Sequence, residues 1–229
     1  MKNKKLIISV LIIFVFIVTA ILIFSPMGKK LLDNRTELIT HVDVNLSVSD
    51  REFVEKRLAN YEKQFSELSE NASIIDKVNL YFVMAADYRM LGEYGKAKEL
   101  LESAMAIDPK NSNLISTYSS LLAIMGDKET ALTYIDKAIE LYGAESNYWL
   151  WKIDLEKELN SSVVNIEKVY KDALEKTNND LNIIVSYAQF LETQKKYSES
   201  ITYWEKAIII YPQNKSIYET EVNRLKTFQ

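Results

Sequence analysis

The chain has 229 residues, of which 48% are hydrophobic and 26% charged, and its formal net charge is −4. Residues 1–30 hold five lysines and no acid, which leaves 23 basic and 32 acidic residues beyond them, a net charge of −9. An acidic domain without a basic stripe argues against binding to nucleic acid or flat on an anionic membrane. The absence of cysteine excludes a disulfide framework and lipid attachment through cysteine.

The first predicted element is an apolar stretch from Leu6 to Phe24, which contains no charged residue. As a helix it would span roughly 28 Å, close to the hydrocarbon thickness of a bilayer. It fits either a membrane span or a cleaved signal sequence. We favour an uncleaved single-pass anchor at residues 1–28, because the apolar region of a signal sequence is shorter, about 7 to 15 residues. Lysines flank both sides of the span, but a short leading tail usually stays in the cytoplasm, so we expect the rest of the chain to be extracytoplasmic.

Residues 29–49 lack a helical period, and valine and leucine alternate with polar residues in the second half of the segment. The alternation fits a short strand or an extended tether, and we favour a tether because a lone strand would have no partner. From Asp50 to about Ser69, apolar residues recur at spacings of three and four, which predicts an amphipathic helix. Ser49 and Glu52 fit a capping box at its start.

Beyond this helix, alanines recur with a period of 34 or 35 residues, first in two pairs and then singly. A period of this size indicates stacked supersecondary units rather than one globular core. Small residues at positions i and i+7 lie on one face of a helix, where they let neighbouring helices approach closely. Gly92 and Gly126 precede these alanines and suit the left-handed conformation that follows a helix end. The spaced alanines are Ala97, Ala104, Ala131, Ala138, Ala173 and Ala207.

This pattern resembles the tetratricopeptide repeat (TPR), a helix-turn-helix unit of about 34 residues with large apolar residues in its first helix and spaced alanines in its second. The best match is residues 78–111, with Tyr81 and Tyr88 in the first helix, Gly92 in the turn and Pro109 at the close. The second unit ends in a glycine instead of proline. The third lacks the turn glycine and carries one extra residue, and the fourth keeps the closing proline. These later units are residues 112–145, 146–180 and 181–214.

The resemblance implies an all-α fold, a right-handed α-solenoid of about four TPR-like repeats within residues 50–229. Two flanking helices would complete it. The helix after Asp50 would pack on the first repeat, and a terminal helix over residues 215–229 would cover the exposed end of the stack. Together with the anchor at residues 1–28 and the tether at residues 29–49, the repeats and the two flanking helices account for the whole sequence.

No pattern for catalysis or for a cofactor is present. His41 is the only histidine and lies in the tether, without a cysteine or a second histidine to complete a metal site. The five glycines form no phosphate-binding loop, and no serine follows a nucleophile-elbow pattern. We therefore expect neither enzymatic activity nor a bound metal or cofactor.

The resemblance implies a concave groove lined by the first helices of the repeats, where a peptide or protein segment would bind. An asparagine recurs at the second position of each unit, and a ladder of them could hydrogen-bond the main chain of an extended peptide. The alternative is that they are helix caps or first-turn residues. Only Arg89 is basic, which disfavours a chaperone-tail carboxylate clamp. The groove residues implied are Asn79, Phe82, Ala86, Arg89, Met90, Asn113, Ser116, Ser120, Ala123, Asn147, Leu150, Asp154, Asn182, Val185, Gln189 and Glu192.

We interpret the chain as a bacterial, membrane-tethered, non-enzymatic interaction scaffold that binds a protein or peptide partner, for assembly of an envelope or secretion complex. The alternative is a regulatory TPR protein in which a small peptide changes the curvature of the stack and so a partner's activity. The absence of an output domain within 229 residues weakens that alternative. The sequence leaves the partner and the oligomeric state open.

Overall fold

The computed structural model describes residues 39–69 and 72–229, which form α-helices, one short 3-10 turn and no strand. The predicted membrane span, Leu6 to Phe24, lies outside these ranges. Within them, no helix combines the length and the apolar character needed to cross a bilayer. The helices are α1 Val48–Ser66, α2 Ile74–Met90, α3 Tyr94–Ile107, α4 Ser112–Ile124, α5 Lys128–Leu141, α6 Ser146–Glu158, α7 Val163–Lys176, α8 Leu181–Thr193, α9 Tyr197–Ile210 and α10 Lys215–Lys226.

Helices α2 to α9 form four consecutive pairs, and each pair contacts the next along the chain. The predicted starts of the second, third and fourth units, Ser112, Ser146 and Leu181, are the first residues of α4, α6 and α8. The first unit differs, because α2 begins at Ile74, four residues before its predicted start. The prediction of an all-α repeat architecture is therefore confirmed.

The spaced alanines are completely buried, as their periodicity predicted. Tyrosines and tryptophans such as Tyr118, Tyr170 and Trp204 are also buried and fill the wider gaps between helices. Ser200 stands where the repeat more often has alanine. Its hydroxyl donates a hydrogen bond to the Ala188 carbonyl at 2.8 Å, so the buried oxygen is satisfied. The close helix contacts thus depend on side-chain size at these positions.

Enlarging one of these alanines tests that dependence. Replacing Ala104 or Ala138 with leucine is expected to lower the free energy of unfolding by about 1 to 3 kcal/mol, because the added atoms have no space between the helices. Urea unfolding followed by circular dichroism measures the loss. The matched control is Ala106→Leu on the exposed side of α3, which should change the unfolding free energy by less than about 0.5 kcal/mol. Equal stability of all three variants would show that these faces are not packed.

The four turns within the units share one geometry. Each has a residue with positive φ after the first helix: Gly92 (82°), Gly126 (95°), Asn160 (56°) and Lys195 (58°). In every case the next amide donates to a carbonyl five residues earlier, at 2.8 to 2.9 Å, as in a Schellman motif. The two glycines behave as predicted. The third unit forms the same turn without glycine, because asparagine tolerates the left-handed region.

Helix α1 packs on α2 through buried Val54 and Leu58. The predicted capping box was wrong, because α1 begins two residues earlier, at Val48, and Ser49 therefore lies within the helix. The cap is Ser47, whose hydroxyl accepts the Asp50 amide at 3.1 Å.

Helix α10 packs on α9 at the other end of the described residues. Its apolar face is buried as predicted at Tyr218, Val222 and Leu225, and the Tyr218 ring stacks on Trp204 with centroids 5.7 Å apart. Phe228 follows the helix and is 56% exposed, although its ring lies 5.3 Å from that of Tyr197.

Residues 39–46, called the docked segment below, belong to the predicted tether. They are extended, as expected, but they lie against the stack instead of standing free. Ile39 donates its amide to the Met125 carbonyl at 3.1 Å, and Val42 donates to the Gly92 carbonyl at 2.9 Å. The Gly95 amide donates to the carbonyl of Thr40 at 2.8 Å. These contacts join the segment to turns and a helix start, so no strand forms. The alternation has a direct cause: Val42, Val44 and Leu46 are half-buried, and the residues between them are exposed.

Candidate functional site

The first helices of the first three units enclose a cavity of about 480 Å³, called the groove cavity below. Helix α4 forms its floor with side chains spaced by three and four residues, which places them on one helical face. Helices α2 and α6 supply the two walls, with aromatic rings on both sides. The lining residues are Phe82, Ala86, Arg89, Asn113, Ser116, Thr117, Ser120, Glu145, Asn147, Tyr148 and Trp151.

Hydrogen bonds hold the polar wall of the groove cavity in place. The Tyr148 hydroxyl donates to Asn113 Oδ1 at 2.6 Å, so the amide NH₂ of Asn113 is left to donate elsewhere. The Asn147 side-chain amide donates to Glu145 Oε1 at 2.9 Å. Trp151 Nε1 donates to the Ser119 hydroxyl at 3.0 Å, which fixes the orientation of the indole ring. The wall is therefore ordered before any ligand arrives.

Arg89 is the basic residue of the groove cavity. It is half-buried in the last turn of α2. No carboxylate of residues 39–69 or 72–229 forms an ion pair with it. A partly buried guanidinium offers several donors in a planar fork that matches a carboxylate. The cavity thus presents this cation beside apolar and neutral polar groups and beside the Glu145 carboxylate, which accepts hydrogen bonds from the main-chain and side-chain amides of Asn147.

The recurring asparagines are not helix caps. The residues that cap α2, α4, α6 and α8 with their side chains are Ser73, Asn111, Glu145 and Asp180. Asn113, Asn147 and Asn182 are instead the second residues of their helices, so the first-turn interpretation holds for three of the four. The fourth, Asn79, lies in the middle of α2.

The structure gathers about half of the predicted groove residues. Seven of them line the groove cavity together: Phe82, Ala86, Arg89, Asn113, Ser116, Ser120 and Asn147. Asn79 lines a smaller adjoining cavity of about 270 Å³ that shares several of these residues. Gln189 lines a separate cavity between the third and fourth units.

Other predicted groove residues do not line the groove cavity. Met90 lies beside Arg57 of α1, with its sulfur 3.7 Å from the guanidinium. Asp154 forms an ion pair with Lys157 at 3.5 Å. Leu150 and Val185 pack against the hydrophobic core, and Asn182 is exposed at the start of α8.

Glu192 is also occupied, because Arg224 of α10 binds its two carboxylate oxygens at 2.8 and 2.7 Å. These hydrogen bonds hold the pKa of Glu192 below its usual value. The residue therefore joins the terminal helix to α8, and its carboxylate is already neutralised.

Thr117, Glu145, Tyr148 and Trp151 line the groove cavity but were not predicted to do so. A signal for two of them exists in the sequence, because Thr117 follows Asn113, and Trp151 follows Asn147, by one helical turn. In the third unit the prediction placed Leu150 in the groove instead of its neighbour Trp151. Among the described residues, no group of three or more His, Cys, Asp or Glu side chains is placed to hold a metal ion.

No family model matches the sequence, and no curated protein matches it. Solved structures are similar in fold. MamA is 14% identical, with a TM-score of 0.56 over 76% of this chain and 99% of that chain. TTC0263, a thermophilic TPR protein from Thermus thermophilus, is 16% identical, with a TM-score of 0.51 over 76% and 93% of the two chains. YrrB, a TPR protein with an unusual peptide-binding site, is 17% identical, with a TM-score of 0.50 over 79% and 87%.

At these identities the likeness concerns the fold alone. It agrees with the period of the buried alanines and with the shared turn geometry of the four units. The chain therefore has the fold of tetratricopeptide repeat proteins.

Proposed function

We propose that this chain is a membrane-tethered scaffold that binds an extended peptide or protein segment in the groove cavity and serves the assembly of an envelope or secretion complex. The observation that carries the proposal is the groove cavity itself, in which Arg89, which has no ion-pair partner among the described residues, lies among ordered aromatic and hydrogen-bonding side chains. The peptide-binding site of YrrB, a protein of similar fold, supports a peptide ligand. We propose binding rather than catalysis, and no role for nucleic acid or metal.

The chemistry of the cavity favours a ligand with one acidic residue beside apolar ones. A carboxylate of the ligand would pair with Arg89, with which no carboxylate of the described residues forms an ion pair. Apolar side chains of the ligand would lie against Phe82 and Trp151. The side-chain NH₂ of Asn113 and the hydroxyl of Ser116 can hydrogen-bond the ligand's main chain, which makes this part of recognition independent of ligand sequence.

The proposed membrane attachment depends on the apolar stretch from Leu6 to Phe24, which has the length of a bilayer span. We propose that it is a single-pass anchor and that the repeats are extracytoplasmic. An anchor would keep the groove cavity near the bilayer and raise the local concentration of the repeats around a membrane-bound partner.

The test is chemical cross-linking in the native cells, followed by capture of the full-length protein. The variant Phe82→Ala, Arg89→Ala, Asn113→Ala should recover the specific partner at least about tenfold less than wild type, since it loses the cation, one apolar wall and one donor. The matched control, Glu140→Ala, Lys171→Ala, Glu175→Ala, changes exposed residues of the second helices α5 and α7 and should recover it fully. Equal recovery by both triple variants would exclude the groove cavity as the binding site.

A further inference from the structure

Two of the described residues that line the groove cavity carry a charge, and the two charges are opposite. Arg89 is the last residue but one of α2, and Glu145 is the residue directly before α6. Neither forms an ion pair with another residue of the ranges 39–69 and 72–229. The groove cavity therefore has a cation on the wall that α2 forms and an anion on the wall that α6 forms.

The two charges also lie at opposite ends of the first helices. The starts of α4 and α6 lie side by side, because the Tyr148 hydroxyl donates to Asn113. In the register of the repeat, Arg89 corresponds to Ala123 near the end of α4, and Glu145 corresponds to Asn111 just before its start. These twelve positions correspond to roughly 18 Å along a helix axis. A ligand that reaches both charges must therefore cross the groove cavity diagonally.

Glu145 is held by one carboxylate oxygen and offers the other. The main-chain and side-chain amides of Asn147 both donate to Oε1, at 3.3 and 2.9 Å, whereas no described residue donates to Oε2. Glutamate is not among the residues preferred at a helix N-cap. The first helices of the other units are capped by the shorter side chains of Ser73, Asn111 and Asp180. The longer side chain lets Glu145 cap α6 and line the cavity at once.

We propose that the groove cavity selects an extended segment that carries both an acidic and a basic residue, with the acidic residue on Arg89 and the basic residue on Glu145. This inference rests on the proposed function and adds to it a second charge and a fixed placement. A lysine or arginine of the ligand would donate to Oε2 while Asn147 keeps Oε1. A segment with acidic residues at both places would set like charges against each other and bind poorly.

The placement also sets a spacing in the ligand. The side chains of Arg89 and Glu145 both line one cavity, so their charged groups lie closer together than the helix register alone implies. An extended chain rises about 3.3 Å per residue, so we expect the acidic and basic residues of the ligand about four or five positions apart.

The first test is an unbiased selection. Phage displaying random dodecapeptides are selected on the full-length protein in detergent, and peptides are kept when the variant Phe82→Ala, Arg89→Ala, Asn113→Ala no longer binds them. We expect the kept peptides to combine an acidic and a basic residue at the stated spacing. Peptides with an acidic residue and no basic one would overturn this inference and leave the proposed function standing. A selection without any groove-dependent peptide would contradict both.

The critical variant is Glu145→Gln, which removes the charge but keeps an oxygen that accepts from both amides of Asn147 and so caps α6. By fluorescence anisotropy, the kept peptides should bind it about fivefold more weakly than wild type. Replacing the basic residue of the peptide with glutamine should weaken binding to wild type by the same factor and binding to Glu145→Gln no further. The matched control, Glu140→Gln on the exposed side of α5, should bind as wild type does.

Arg89→Gln provides the comparison at the other end of the groove cavity. In this variant the basic residue of the peptide should contribute its full factor, because it contacts Glu145 and not Arg89. The peptide substitution changes no residue of the protein, so altered folding cannot account for its effect. An equal loss from that substitution in wild type and in Glu145→Gln would show that the basic residue does not contact Glu145 and would overturn the proposal.

Discussion

Replacing Gly92 with alanine is expected to release the docked segment and to lower the free energy of unfolding by about 2 to 3 kcal/mol. Alanine in the left-handed conformation of Gly92, with φ of 82°, costs about 1 to 2 kcal/mol. Its Cβ would also lie 1.9 Å from the Val42 carbonyl oxygen, so the segment must move away and expose its half-buried valines. Hydrogen exchange at the Val42 amide and urea unfolding measure the two effects.

Gly95→Ala is the matched control for this prediction. The nearest atom to its new Cβ would be the Thr40 Cβ at 3.4 Å, an ordinary contact, and alanine favours the helix in which Gly95 lies. We expect the docked segment to stay in place and the unfolding free energy to rise or to change by less than about 0.5 kcal/mol. If Gly92→Ala left the Val42 amide protected, the segment would not depend on the close approach at Gly92.

The second large effect is expected at the ion pair between α1 and α2. Arg57 donates to both carboxylate oxygens of Asp87, with Nε 3.0 Å from Oδ2. The Asp87 side chain is only 2% exposed, whereas that of Arg57 is 34% exposed. The hydrogen bond to Asp87 raises the pKa of Arg57, as a favourable pair should. Arg57→Met would leave a buried carboxylate without its cation, and we expect a loss of about 2 to 3 kcal/mol in unfolding free energy.

A second substitution separates the loss of charge pairing from the loss of packing. Adding Asp87→Asn to Arg57→Met removes the unpaired charge and should restore part of the stability, because burying a neutral amide costs less than burying a carboxylate. Thermal unfolding of both variants gives the comparison. If the double variant were no more stable than Arg57→Met, the loss would come from the missing packing of the arginine side chain and not from the unpaired charge of Asp87.

The repeats could be predicted from the sequence because their signal is carried by side chains. Close helix contacts require alanine at fixed spacing, and the turns of the first two units require a left-handed residue, for which Gly92 and Gly126 are suited. The weak third unit could be placed because Ala173 keeps the period. Its groove register was predicted one residue off, at Leu150 instead of Trp151, although Trp151 follows Asn147 by one helical turn.

The position of the docked segment could not be predicted, for a physical reason. Its hydrogen bonds join main-chain atoms of residues that are far apart in the sequence, such as Ile39 and Met125. Because every residue type offers the same main-chain groups, such bonds leave little trace in the sequence. The alternation of Val42, Val44 and Leu46 indicated a face that becomes buried but not what covers it. Likewise, no sequence pattern indicated that Arg224 would form an ion pair with Glu192, because that pair depends on how α10 lies relative to α8.

Site-specific photo-cross-linking tests the proposed groove most directly. A photoreactive phenylalanine analogue placed at Ser120, within the groove cavity, should cross-link in cells to one partner at a defined peptide segment that contains an acidic residue. The same analogue at exposed Lys171 on α7 should not cross-link to that segment. A segment that cross-links from Lys171 and not from Ser120 would place binding on the outer face and contradict the proposed function.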